Sequence, residues 1–342
     1  MTAQISTLGQ LLSAAGTQWR AYDIGRRITK LDKKQFAQIE STSTPYPYPL
    51  AGHALMAIQF WDNSATLDPY VWFLKFPLDE QSKLVSASRD HFANMVLEAL
   101  GTEITGEQAQ GKLDNNPYVF TPNANKLAAF NALLKREINR PASQYYEYAE
   151  NYFAGNLPEN AWQNIAVQGL ADFAFRLDHG KNAEHLNALW SSLPMPVKQP
   201  LSAMLEHVAG STQFSELLYK DCLTALKNKQ LDVLVCNLRA LSASRAQGLL
   251  LQAIDQILAS ELADEADVLL TLTGRCWTAF SDQSRLFTLL DKAAHNSQVD
   301  GLFSSIFADL VAIPSLRPHV LGILRAENRS ETLSRAIGRL FS

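Results

Sequence analysis

Two groupings of polar residues stand apart from the apolar patterning of this chain. In Tyr22-Asp23-Ile24-Gly25-Arg26-Arg27 an acid and two guanidinium groups flank a glycine. A guanidinium offers a planar fork of donors matched to carboxylate or phosphate, and glycine allows close backbone approach. Asp23, Arg26 and Arg27 are therefore candidate binding residues for an anion or a partner. The competing reading, which we favour, is an Asp–Arg pair tying a strand to its neighbours. In the second grouping Gln168, Asp172 and Arg176 recur at i, i+4 and i+8 and form one polar helical stripe. Asp172 and Arg176 are spaced for an ion pair worth about 0.2–0.5 kcal/mol on an exposed helix. A solvated structural face is the favoured account of that stripe, with a binding site as the alternative.

Stronger signatures do not occur. The chain has no GxGxxG, Walker phosphate loop, HExxH, GxSxG or EF-hand loop. Its seven histidines never approach metal-ligand spacing; His179 and His185 sit six residues apart, wrong for two ligands on one helical face. Cys222, Cys236 and Cys276 are widely spaced within apolar helical patterns. They read as small buried hydrophobes in a reducing compartment. No cofactor and no metal is expected. The aromatic run Tyr145, Tyr146, Tyr148, Tyr152 and Phe153 reads as core with some partner surface.

Net charge of −4 over 342 residues gives no global attraction for nucleic acid or anionic membrane. Arg20, Arg26, Arg27, Lys30, Lys33 and Lys34 form a local basic cluster, so RNA contact is a minor alternative that requires one shared exposed face. The N-terminus lacks a signal-peptide pattern. The most apolar stretch, Leu50 to Trp61, is too short to span a bilayer. The expected setting is cytoplasmic.

The elements that must position these residues change character along the chain. A short helix from Thr7 to Ala15, which Ser6 or Thr7 can cap, precedes alternation from Trp19 to Thr29, and Asp32 can cap a helix holding Phe36 and Ile39. Pro45-Tyr46-Pro47-Tyr48-Pro49 excludes helix and central strand and reads as an extended connector. Strands follow at Ala54–Trp61 and Tyr70–Phe76, joined through Asp62-Asn63-Ser64 and Asp68-Pro69, and a helix from Glu80 to Leu100 covers one face. After Thr121 every signal is helical: about 142–154, 158–177, 183–193 and 197–208, then helix pairs starting near Thr212, Arg245, Asp282 and Pro314. That spacing, roughly 32–37 residues, lies within the range of helical repeats. The expected fold is α+β, mainly α. A small antiparallel β-containing part over 1–115 is followed by a helical-repeat-like (HEAT/TPR-like) array over 116–342.

Four segments carry a resemblance: Tyr22 to Arg27, Asn116-Pro117-Tyr118-Val119-Phe120, Gln144-Tyr145-Tyr146-Glu147 and Gln168-Gly169-Leu170-Ala171-Asp172. On these the chain resembles, over essentially its whole length, the gammaproteobacterial family known as domain of unknown function 3549. The resemblance implies a bacterial cytoplasmic protein and brings no activity. The expected function is a non-catalytic macromolecular interaction or scaffold role with a protein partner. The alternative is an enzyme or small-molecule binder with a site between the N-terminal sheet and the first helices, near Arg26, Arg27 and Asp172.

Overall fold

Strand-forming and helix-forming residues separate as the patterning requires, in a computed structural model that describes residues 7–61, 69–101 and 116–341. The described chain divides into two units: one built from residues 1–122 and 308–322, the other from 123–307 and 323–342. The segment 308–322, whose periodicity reads with the helical array, thus groups with the N-terminal unit. The boundary is expected in the polar stretch 102–116, of which 102–115 lie outside the described residues, as do the turn residues 62–68.

The first unit holds a four-stranded antiparallel sheet of β1 (Gln18–Asp23), β2 (Thr29–Leu31), β3 (His53–Trp61) and β4 (Tyr70–Pro77), in the order β2-β1-β3-β4. Trp19 to Thr29 is therefore two strands instead of the single one expected. Asp23 is the reason: its Oδ1 accepts the Gly25 N–H at 3.3 Å, turning the chain out of β1. Helices α1 (Leu8–Ala14), α2 (Lys33–Glu40) and α3 (Ser86–Gly101) bring Leu8, Leu12, Phe36, Phe92 and Val96 into one core with Trp19, Ile58, Leu74 and Phe76 from the sheet. Thr7 and Asp32 cap α1 and α2, as their positions predict. Helix α3 starts later than its apolar pattern, because Asp79 accepts the N–H groups of Gln81 and Lys83 and holds 79–83 as a turn.

Burial forces two polar devices on this unit. Arg26 is wholly buried; its Nε donates to the Pro49 carbonyl at 3.0 Å and its Nη2 to Asp309 Oδ1 at 2.7 Å. Beside it, Arg317 donates to Ser82 Oγ at 2.7 Å and Ser82 to the Ala312 carbonyl at 2.6 Å, so the 308–322 segment is clasped by polar bonds. Glu40, 1% exposed, accepts the Leu8 and Gly9 N–H groups at 2.7 and 3.0 Å, satisfying the open end of α1 from a neighbouring helix. A Cβ on Gly9 would sit 3.0 Å from that carboxylate and 3.1 Å from the Trp19 ring, so a larger residue there would have to push one of them aside.

The second unit stacks helices in two rows. Row one runs α4 (Ala124–Glu137), α6 (Val167–Ala174), α8 (Met195–Leu205), α10 (Leu231–Leu241) and α12 (Ala266–Arg275), each packed on the next. Row two runs α5 (Tyr146–Phe153), α7 (Asn182–Leu189), α9 (Thr212–Lys227), α11 (Gln247–Leu258) and α13 (Gln283–His295). The chain ends through α14 (Leu302–Ala312), α15 (Arg317–Ile323) and α16 (Glu331–Gly338), the last packed on α13. The helix expected over 158–177 is instead a 3-10 turn, Glu159–Asn164, followed by α6. All three cysteines are buried and none is in a disulfide, and burial raises the thiol pKa of Cys222 and Cys236.

Two outcomes follow from the polar devices. Arg26→Met strands the Asp309 carboxylate and should lower unfolding free energy by about 3 kcal/mol; denaturant unfolding with a loss near zero would show the clasp to be idle. Burial pushes the Glu40 carboxyl up from 4.5 to about 7, against the pull of the two N–H groups and Arg89. The folded protein then binds this proton more tightly than the unfolded chain. Its stabilisation is complete below about pH 4.5 and lost as pH rises through about 7. Thermal melts across that window should show a falling limb that Glu40→Gln flattens; an unchanged limb in the variant would contradict the assignment.

Candidate functional site

The six residues singled out above fall in different units: Asp23, Arg26 and Arg27 in the first, Gln168, Asp172 and Arg176 in the second. Asp23 Oδ1 accepts the hydroxyl of the fully buried Tyr46 at 2.5 Å, and Arg26 holds Asp309. The Pro-Tyr connector is scaffold of this unit. Asp172 is wholly buried, not on a solvated face; it pairs with Arg176 Nη1 at 3.0 Å, and its Oδ2 accepts the Ser143 N–H at 3.0 Å. Gln168 donates to the Ala128 carbonyl at 3.3 Å. A Cβ on Gly169 would sit 2.6 Å from the Tyr145 carbonyl oxygen, so α6 packs there only because residue 169 is glycine. Asn116 Oδ1 accepts the N–H groups of Tyr118 and Val119, and Lys75 and Phe120 complete a bridge beside β4. The segments that carry the family resemblance are thus joints of the scaffold.

The basic cluster near the N-terminus is only partly assembled. Arg20, Lys30 and Lys33 line one shallow hollow with Trp19 and Trp61, while Arg26 is buried. Arg20 lies 5.1 Å over the Trp61 ring and Lys33 4.9 Å over Trp19. The cations rest on aromatic faces within the unit.

A different constellation lies on the first row of the helical unit. Glu206 follows the last turn of α8 and is 2% exposed. A carboxylate at the C-terminal end of a helix meets the negative end of the dipole and is disfavoured there. Cations offset this. Glu206 Oε2 lies 2.9 Å from Nε and 2.8 Å from Nη2 of Arg239, and 2.7 Å from Nε of Arg275. Oε1 lies 3.9 Å from Lys126 Nζ and 3.6 Å from His207 Nε2. Arg239 and Arg275 sit in the last turns of α10 and α12, where the dipole favours cations.

Three cationic side chains therefore converge on one carboxylate. They line a hollow of about 500 Å³ together with Asn123, Asn125 and His207. Asn123 caps α4 through the Lys126 N–H at 2.9 Å, so the N-terminal end of that helix also borders the hollow. Its dipole adds to the positive potential. Arg239 and Arg275, each 27% exposed, also line an adjoining hollow of about 280 Å³ with Val235, Asp267, Leu270 and Thr271. The result is an open trough with an anion-attracting end and a partly apolar end. Among the described residues, no group of three or more His, Cys, Asp and Glu side chains comes together to hold a metal. No described helix is long and apolar enough to cross a membrane.

This site escaped the reading by local motif because its residues come from separate repeats. One signal was available: Glu206, Arg239 and Arg275 stand 33 and 36 residues apart, within the period of the helix pairs. Equivalent positions on stacked helices form a ladder. If Glu206 is the counter-ion that lets two guanidinium groups share one place, Glu206→Gln should lower unfolding free energy by about 3 kcal/mol. A loss below about 0.5 kcal/mol in denaturant melts would show that the cations are held apart by other means.

No curated protein and no solved structure matches the chain. A family model does match residues 3–341, that of a protein of unknown function (DUF3549). With scaffold joints at the segments quoted above and a match over essentially its whole length, the chain belongs to this family.

Proposed function

We propose that the chain is a non-catalytic binding protein that receives an acidic segment of a partner protein in the trough over α10 and α12. The convergence of Lys126, Arg239 and Arg275 on the single carboxylate of Glu206 carries this reading. These three cationic side chains and the N-terminal end of α4 give the place a positive potential, so an incoming anion is favoured there. The guanidinium groups are oriented by Glu206 before the ligand arrives, which reduces the ordering cost of binding.

The trough's second half supports a peptide over a nucleic acid. Asp267 on its wall repels a continuous phosphate backbone, and Val235 with the 49% exposed Leu270 offers apolar surface to a side chain. Alternating acidic and apolar side chains satisfy both halves. A bacterial cytoplasmic setting belongs to the same proposal, supported by the odd number and wide spacing of the cysteines.

Affinity capture of the protein from its own host, with mass spectrometry of bound protein and nucleic acid, tests this directly. Leu270→Glu and Lys126→Met alter the trough without removing the Glu206–arginine pairs. The expected outcome is an acidic protein that elutes with salt and whose recovery falls about tenfold with either variant, at unchanged Tm for Leu270→Glu, equivalent to about 1.4 kcal/mol. Undiminished recovery with both variants, or nucleic acid as the bound species, would contradict the proposal.

A further inference from the structure

We infer that a second hollow, formed within the helical unit at residues 152–162 and 189–194, binds an organic cation: an ammonium or guanidinium group on an apolar stem. This hollow measures about 550 Å³ and shares no lining residue with the Glu206 trough. Tyr152 and Trp162 supply aromatic rings, Leu157, Leu193 and Pro194 supply apolar wall, and Glu159 supplies the sole carboxylate.

The local sequence explains why these groups are held together. Gly155, at φ +75°, turns the chain sharply after α5. Pro158 precedes the 3-10 turn Glu159–Asn164, which brings Glu159 and Trp162 to one side. Tyr148 pins that turn by donating to the Ala161 carbonyl at 3.1 Å, and Ala161 is buried. Glu159 forms no ion pair among the described residues, so its charge is available to a ligand. Its field reaches into the hollow: burial chiefly, and the Glu159 charge after it, raise the pKa of the Tyr152 phenol.

The chemistry selects the ligand. An anion would meet the Glu159 carboxylate and would be repelled. A fully polar neutral molecule would leave the leucine and proline wall bare. A cation with an apolar stem gains from the carboxylate and from the aromatic and apolar wall together. Either a free quaternary amine or a Lys or Arg side chain of another protein has this chemistry, and the same hollow would accept both.

The test follows the indole N–H resonance of Trp162, assigned with Trp162→Phe, in the full chain. Choline, its uncharged isostere 3,3-dimethyl-1-butanol, and the N-acetyl amides of arginine and lysine are titrated in turn. Choline or the amino-acid amides should shift the resonance saturably; tighter choline binding marks a free amine as the source, tighter amide binding a protein side chain. The isostere should bind about tenfold more weakly, and Glu159→Gln should weaken the cation by a similar factor while leaving the isostere unchanged. Glu159 is exposed, so that variant is expected to fold. Equal affinity for cation and isostere, no effect of Glu159→Gln, or no saturable shift with any cation would overturn the inference.

Discussion

The Glu206 carboxylate imposes a constraint that the middle of the helical unit must satisfy. With 2% exposure and a helix C-terminus behind it, this group is stable as an anion only if cations come to it. Arg239 and Arg275 come from the next two helices of the same row, so the ion pairs also register three successive repeats. Lys126 arrives from α4, a helix much earlier in the chain. The same contacts that neutralise one buried acid gather three cationic side chains at one place. A structural requirement thereby creates a surface with a chemical preference.

The N-terminal unit solves its buried charges differently. Arg26 is consumed by the Pro49 carbonyl and Asp309, with no exposure left. Glu40 is enclosed until its proton is held near neutral pH, and it serves as the cap of α1. Both groups are aligned by neighbours on elements distant in sequence, which ties β1, α1 and the 308–322 segment into one structure. In the helical unit, by contrast, the arginines around Glu206 keep 27% of their side-chain surface exposed. Partial exposure separates a group that holds the fold from one that can also meet a ligand.

Much of the architecture was legible in local pattern. Thr7 and Asp32 cap the helices they were expected to cap, and the pairs beginning near Thr212 and Asp282 start at α9 and α13. Period and capping are encoded within a few residues, so a single sequence reveals them. The break within Trp19–Thr29 was not legible, because it depends on where the Asp23 side chain turns. The Asp172–Arg176 pair was expected by spacing, but its burial depends on α4 and α5 packing above it. The candidate site was legible only as period. Nothing near Glu206 distinguishes it from other acids until helices 33 residues apart are stacked.

The central claim is that Arg239 and Arg275 receive an acidic ligand while Glu206 holds them. The most direct measurement is the NMR spectrum of arginine Nε–H groups during titration with a peptide of alternating glutamate and leucine. Saturable movement of the Arg239 and Arg275 resonances, with the other arginines still and the effect abolished by a glutamine-for-glutamate peptide, is the predicted result. Resonances of Arg239 and Arg275 that stay fixed while the peptide binds, or equal shifts with the uncharged peptide, would contradict the account.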